Sequence, residues 1–307
     1  MQVKRILITY NPISGRGIAS KFAADIAATL IRKPCDIEIC PTQLADTKIW
    51  LHKHLLAKPD AVIVVGGDGT LRQIASALVN TDIPVYHAAS GTENLFSKSM
   101  SMTSDPSLII SAIEANNVKS IDTAIANEQF MLLMGSVGFD AEVVARLAEK
   151  RGSSITHWSY LTPSIQSFFD FNPPIISIEV DGNQLVSESS GWAVVANSKV
   201  YARGLNPARD ALLTDGELDI VFLPFRRRLQ LLRWIQLMRK GTHLHHPNAI
   251  CARGKQIIVK TTEPVNWQID GDPVGREKQM KFNIKPKTLT VLEQSITVDN
   301  SSGYSNK

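Results

Sequence analysis

The chain has 307 residues, 44% hydrophobic and 20% charged, which supplies real cores and excludes wholesale disorder. Its 33 Lys and Arg against 29 Asp and Glu leave a net charge of +4, too little for a dedicated nucleic-acid binder, so no nucleic-acid partner is expected. Cys35, Cys40 and Cys251 form no CxxC pair, and no apolar run reaches the roughly 18 residues of a spanning helix. The opening run stops at Asn11-Pro12 and lacks the features of a secretory signal. These features point to a cytoplasmic protein whose membrane contact, if any, is peripheral.

Residues 3–10 read as a buried strand, and residues 18–31 as a helix with Phe22, Ile26 and Leu30 on one face. A strand at 36–40, a helix at 46–57 and a strand at 61–65 follow. The β-branched run at 61–65 suits an interior parallel strand. Residues 71–79 place Leu71, Ile74, Ala75 and Leu78 along one helical face, before a strand at 84–88. This alternation predicts a parallel sheet covered by helices. Near residue 125 the pattern changes to strands at 130–134, 174–180, 191–196, 218–223, 256–261, 265–269 and 288–292. Gly, Asn and Pro turns between them predict an antiparallel sheet or sandwich, interrupted by helices at 141–149 and 227–239. The expected organisation is an α/β domain over 1–125, a β-sandwich over 126–287 and a mobile tail over 299–307. Residues 288–298 are available to complete the first domain. Asn300-Ser301-Ser302 is a sequon that a cytosolic protein would leave unmodified.

Three loops carry the chemistry. Gly66-Gly67-Asp68-Gly69-Thr70 lies between a buried strand and a helix. Glycine lets a backbone approach a ligand closely, and the N–H groups opening a helix receive phosphate. Asp68 is an acceptor suited to magnesium or its waters, although a tight turn with a capping Asp explains the same residues. Asn11-Pro12-Ile13-Ser14-Gly15-Arg16-Gly17 and Ser90-Gly91-Thr92-Glu93-Asn94 also follow strands. Ligands bind outside the carboxyl ends of parallel strands, so three such loops predict a nucleotide site. No GxxxxGK[ST] or GxSxG is present, and the segment at 15–20 lacks the third glycine of a dinucleotide fingerprint.

Asn-Pro-x-Ser-Gly at 11–15, Gly-Gly-Asp-Gly-Thr at 66–70 and Gly-Thr-x-Asn at 91–94, in that order, resemble the diacylglycerol kinase catalytic domain family. That family includes soluble bacterial lipid kinases and sphingosine kinases. The resemblance continues through Gly138-Phe139-Asp140-Ala141, Asn197 with Gly204, Asp215-Gly216-Glu217-Leu218-Asp219 and Asp270-Gly271-Asp272. It implies an α/β nucleotide domain and a β-sandwich with the active site between them. By the same resemblance, Asn11, Ser14, Gly15 and Thr42 line the nucleotide. Gly66, Gly67, Asp68, Gly69 and Thr70 hold its phosphates, and Gly91, Thr92 and Asn94 complete the pocket. Asp68 stands near magnesium, and Asp270 or Asp272 is the base toward a lipid hydroxyl. A separate, structural magnesium site falls on the Asp215 carboxylate with the carbonyls of Leu212 and Glu217. Two departures stand out: Leu95 and Glu93 alter the usual Gly-Thr-Gly-Asn-Asp run, and Asp272 is one methylene shorter than the family's glutamate.

Residues 224–240 concentrate six cations, Arg226, Arg227, Arg228, Arg233, Arg239 and Lys240, with no acid and with Trp234 among the apolar positions. The pattern fits a helix lying on an anionic membrane, and equally a helix packed on the sandwich with a solvated basic face. His243, His245 and His246 read as a loop, since nothing completes a tetrahedral metal set. His52 and His54 read as surface residues, and Trp158, Trp192 and Trp267 as core. Asp122 and Asp140 remain open between structural caps and cleft acids.

The expected function is an ATP- and magnesium-dependent lipid kinase acting on diacylglycerol or a related lipid alcohol, a sphingoid base included. Phosphoryl transfer needs positioning and charge neutralisation more than covalent chemistry. The alternatives are an NAD kinase-like enzyme and a degenerate kinase that binds lipid or nucleotide without turnover. The sequence leaves a homodimer open.

Overall fold

A computed structural model describes residues 4–43, 45–149, 168 and 170–294. Trp158, the tail at 299–307 and the Asn300 sequon lie outside these residues.

The N-terminal part alternates strand and helix. β1 (Lys4–Tyr10), β2 (Cys35–Pro41), β3 (Ala61–Gly66) and β4 (Val85–Ala89) are linked by α1 (Ile18–Leu30), the single turns α2 (Thr47–Trp50) and α3 (His52–Leu55), and α4 (Asp68–Leu78). The strands pair in parallel in the order β2-β1-β3-β4. Every residue of β3 is buried, so its sequence is a continuous apolar run without alternation. α4 turns Leu71, Ile74, Ala75 and Leu78 inward, and α1 turns Ala19, Ala23, Ile26, Ala27 and Leu30 inward. α5 (Leu95–Ser99) and α6 (Pro106–Ala115) follow. Asp105 caps α6 by accepting the Ser107 N–H at 2.8 Å, with Pro106 in the first turn.

The remainder is mostly antiparallel: β5 (Val118–Ala126), β6 (Gln129–Met131), β7 (Met134–Val137), α7 (Phe139–Glu149), β8 (Ile175–Val180), β9 (Asn183–Ala196), β10 (Leu218–Pro224), α8 (Arg228–Lys240), β11 (Ile250–Gly254), β12 (Gln256–Ile269) and β13 (Asp272–Leu292). The hydrogen-bonded path runs β11-β10-β9-β7-β12-β13-β4-β3-β1-β2. β13 is antiparallel to β12 and β5, then meets β4 in parallel where Val291 faces Val85. One strand thus serves both parts of the sheet.

The strands expected at 256–261 and 265–269 are one strand, β12, whose register against β13 shifts between Lys260 and Val265. The strand expected at 130–134 is instead divided between β6 and β7. The N–H groups of Leu132, Leu133 and Met134 at that break point at the Asp270 carboxylate. Three two-residue hairpins, Asn127-Glu128, Asp181-Gly182 and Asp270-Gly271, have positive φ at both positions, as tight turns between twisted strands require.

One buried cluster lies between the parallel sheet, α1 and α6, and another fills the antiparallel part around Ile178, Phe222, Val259, Trp267 and Phe282. A third is continuous across both, joining Val62, Leu71, Ile74 and Phe96 to Trp192, Leu223 and Trp234.

Candidate active site

The three loops leave the carboxyl ends of neighbouring strands and are tied to one another. Asn11 donates its backbone N–H to Val65 O at 3.1 Å, and its Nδ2 donates to Thr70 Oγ1 at 3.2 Å. The Ser14 and Ser90 hydroxyls meet at 3.1 Å, and Ser90 N–H donates to Gly66 O at 2.8 Å. Asn94 closes its own loop by accepting the Gly91 N–H at 2.9 Å and donating to Gly91 O at 3.0 Å. Thr42 N–H donates to Tyr10 O at 2.8 Å, which sets Thr42 at the same edge. Asn11, Ser14, Thr42, Thr70, Ser90 and Asn94 therefore converge, with Thr92 carried in the third loop.

Close backbone approach explains the glycines. A Cβ on Gly91 would lie 2.7 Å from the Gly67 Cα, and one on Gly15, at φ +58°, would lie 2.8 Å from Ser90 O. A Cβ on Gly66 would meet the Thr70 side chain at 2.7 Å. α1 and α4 both start at this edge after glycine N-caps, and neither has a side-chain cap hydrogen bond. Their first-turn N–H groups, with the positive end of each helix dipole, suit a polyanion.

Beneath the loops lies a residue that sequence reasoning missed. His87 is fully buried on β4, and its Nε2 stands 3.0 Å from Gly66 O. Burial lowers its pKa, partly opposed by the Asp68 carboxylate. A lone His in an apolar strand gave no sequence signal.

The acids are sorted by their partners. Asp68 accepts Leu95 N–H at 2.9 Å on one oxygen and Phe96 N–H at 3.0 Å on the other. It thereby holds the start of α5. Asp270, one of the two expected bases, is ringed by backbone amides. Its Oδ1 accepts Leu133 and Met134 N–H at 2.7 and 2.9 Å, and its Oδ2 accepts Leu132 N–H at 2.8 Å. With φ +52° it folds back into the protein, and burial pushes its carboxyl up, against the nearby Arg72 charge and the amides. Asp272 opens β13. A Cβ on Gly69 would lie 3.7 Å from Asp272 Oδ2. That oxygen accepts Arg72 Nη2 at 2.9 Å, and Arg72 Nη1 donates to Ile269 O at 3.1 Å. Arg72 was also missed, because one cation in an amphipathic helix looks like any solvated residue.

Next to the third loop opens a cavity of about 410 Å³, lined by Glu93, Phe139, Asp140, Val143, Val144, Phe168, Trp192, Tyr201, Ala202, Arg203, Leu205, Leu232, Ile235 and Arg239. Its wall is mainly apolar and comes from α7, β9, the 201–205 segment and α8. Asp140 accepts from the Ser136 and Tyr201 hydroxyls, and burial pushes its carboxyl up against those bonds. Gln268 donates to Ser136 Oγ at 2.7 Å and accepts Gly271 N–H at 2.8 Å, which links the cavity acid to the Asp270-Gly271 turn.

The turn expected to hold a structural cation is gripped by Asp122, which is fully buried and accepts Gly216 N–H and Lys287 N–H, each at 2.7 Å. Asp215 Oδ1 accepts Glu217 N–H at 3.2 Å, and Leu212 is half exposed. Among the described residues no three His, Cys, Asp or Glu side chains converge as a metal set.

α8 turns Leu231, Trp234 and Met238 inward, lends Leu232 and Ile235 to the cavity, and leaves Leu229 77% exposed beside Arg226, Arg227 and Arg228. No described helix is long and apolar enough to cross a membrane. Trp192 and Trp267 are buried. His243 is fully buried, with Nε2 2.6 Å from Pro207 O. His54 is no plain surface residue: it packs between Glu38 and Cys40, with Nδ1 2.5 Å from Glu38 Oε1 and Nε2 3.3 Å from Cys40 Sγ.

A parallel sheet with three linked glycine-containing loops, joined to an antiparallel unit carrying an acid and an apolar cavity, defines a kinase-like two-part architecture. Residues 5–126 match the diacylglycerol kinase catalytic domain, and residues 134–293 match the YegS C-terminal NAD kinase β-sandwich-like domain. The chain belongs to this diacylglycerol kinase-like family. It is 24% identical over 283 residues to the diacylglycerol kinase of Bacillus subtilis, covering 89% of this chain and 91% of that one. It is 26% identical over 278 residues to that of Mycobacterium tuberculosis, covering 88% and 89%. An uncharacterized Synechocystis protein is 29% identical over 239 residues, 75% of this chain but only 54% of that longer protein. In fold, the chain is similar to a putative diacylglycerol kinase from Bacillus anthracis, with a TM-score of 0.75 at 21% identity, covering 96% and 99% of the two chains. An NAD kinase from Archaeoglobus fulgidus in complex with ATP aligns with a TM-score of 0.54 at 13% identity, covering 95% and 94%.

Proposed function

We propose that the protein transfers the terminal phosphoryl group of ATP to the hydroxyl of a lipid alcohol, diacylglycerol or a related acceptor. The observation that carries this reading is the apolar cavity of about 410 Å³ beginning at Glu93, inside the loop that also carries Thr92 and Asn94. An apolar acceptor held there would present its polar end to the phosphate loops. The curated relatives named diacylglycerol kinase support the same reaction class.

In this reading the first-turn amides of α1 and α4 bind and orient the triphosphate. Asp272 takes the proton as the acceptor oxygen forms its bond to the terminal phosphorus. The bond from that phosphorus to the bridging oxygen breaks, and its electron pair leaves with ADP. Asp270 keeps the turn in place for Asp272. Magnesium would enter with the triphosphate, balancing its charge. The Asp215 turn, with the Leu212 and Glu217 carbonyls, offers oxygen donors of the kind a hard cation accepts, and its proposed part is structural.

The basic N-terminal end of α8, with exposed Leu229, is proposed as a peripheral contact for anionic membranes. The enzyme would work from the cytoplasmic side and need not span the bilayer. Incubating the protein with labelled ATP, magnesium and mixed lipid extract should label a lipid. Label in NAD would instead support the NAD kinase-like alternative. No product despite nucleotide binding would support a degenerate kinase.

A further inference from the structure

We propose that Arg72 is a cation that receives the terminal phosphate of the nucleotide while its other donors fix Asp272 opposite that phosphate. This rests on the phosphotransfer reading above. Arg72 lies on α4, two residues beyond Thr70, so it shares the helix whose start forms the phosphate loop. Its side chain crosses to the Asp270-Gly271 hairpin and grips both sides of it, Ile269 O at 3.1 Å and Asp272 Oδ2 at 2.9 Å. A guanidinium has five N–H donors in a planar fork. Two bonds hold the hairpin, and the side chain keeps 21% of its surface exposed.

The need for a cation here follows from the rest of the site. Gly66-Gly67-Asp68-Gly69-Thr70 contains no Lys or Arg, so the loop itself brings no positive side chain to a phosphate. Charge growing on the transferred group must still be neutralised beside the base. Arg72 stands next to Asp272, and Asp272 stands against Gly69. A planar fork can hold a carboxylate and a phosphate together, which a lysine ammonium does less selectively. The ion pair also accounts for how the shorter Asp272 is held at the loop. The transfer balances as before: the acceptor's proton goes to Asp272, and the electron pair of the broken bond goes to ADP. Arg72 contributes charge and orientation without exchanging a proton.

The test compares the wild-type chain with Arg72→Gln and Arg72→Lys, measuring ATP and ADP affinity by calorimetry and lipid phosphorylation by label transfer. The wild type should prefer ATP over ADP. Arg72→Gln should lose that preference by roughly 10-fold to 100-fold, the value of a charge-assisted contact, with ADP affinity and melting temperature nearly unchanged. Arg72→Lys should keep part of the ATP preference but lose kcat, with the KM for lipid unchanged, because the fork that orients Asp272 is gone. A purely structural Arg72 would lower the melting temperature and leave the ATP-to-ADP ratio alone, and that result overturns the proposal. Failure of the wild type to bind either nucleotide overturns both the kinase reading and the role of Arg72. ATP preference that depends on Arg72, without lipid labelling, would support the phosphate contact and remove only the lipid acceptor.

Discussion

Replacing Asp270 and Asp272 separately should divide stability from turnover. Asp270 receives three backbone N–H bonds, at 2.8, 2.7 and 2.9 Å, from Leu132, Leu133 and Met134. Asparagine offers one oxygen, which can keep two of them. Its amino group then faces the Leu132 N–H donor to donor. One stranded amide costs about 1–3 kcal/mol, and the loss of charge assistance in the other two adds about 1–2 kcal/mol. The total of about 2–5 kcal/mol corresponds to a melting temperature lower by roughly 5–15 °C for a protein of this size. Asp272→Asn removes a partly exposed ion pair, its side chain 32% accessible and that of Arg72 21%. Such a pair contributes about 1 kcal/mol or less, so melting should move by no more than about 3 °C. Turnover should fall at least ~100-fold if Asp272 is the base. Thermal melts alongside the labelled-ATP lipid assay read both quantities. An Asp270→Asn protein that melts with the wild type yet is inactive, or a fully active Asp272→Asn, refutes the assignment.

Gly91→Ala would put a Cβ 2.7 Å from the Gly67 Cα, and because the obstacle is backbone the two loops must part. Nucleotide affinity should drop at least roughly 10-fold in calorimetry, about what losing one well-made phosphate contact costs. His87 and His243 are buried with pKa values below their ordinary 6.5, so they stay neutral in the fold while the unfolded chain takes up protons. Each therefore removes stability as pH falls below 6.5. Unfolding free energy measured from denaturation should fall less steeply below that pH in His243→Gln than in the wild type. A steeper fall in the variant would contradict the sign. Changing Arg226, Arg227 and Arg228 together to Gln should weaken sedimentation with anionic vesicles and leave neutral vesicles unaffected. Equal binding to both would reduce α8 to a packed helix.

The parallel half was readable because burial on both faces leaves a direct mark: β3 is an unbroken apolar run, and α4 repeats its buried residues at helical spacing. The three loops were readable because glycine is needed where backbones touch, as between Gly67 and Gly91. Asp-Gly at 270–271 is also a strong hairpin signal, and the chain turns there. Long-range partners left no local mark. β5 and α6 were passed over, and the break between β6 and β7 depends on Asp270, more than 130 positions away in sequence. That Asp68 and Asp270 each accept backbone amides follows from partners that no spacing rule lists. Arg72 reaches 200 positions along the chain and Asp122 up to 165, and neither they nor His87 had a motif to announce them.

β13 runs through 21 residues, from Asp272 beside Gly69 to the edge of the parallel sheet. Along the way it borders β12, β5 and β4. A fragment ending at residue 126 would leave the flank of β4 bare, a raw edge open to pairing with other chains. Swapping the front half of this chain onto the back half of a relative would therefore give a mixed seam at Val85 and Val291, whichever cut is chosen between 126 and 272. A workable chimera would have to carry its last strand with the parallel sheet and be joined inside the Asp270-Gly271 turn, where the graft would also have to keep the Arg72 contacts to Ile269 and Asp272.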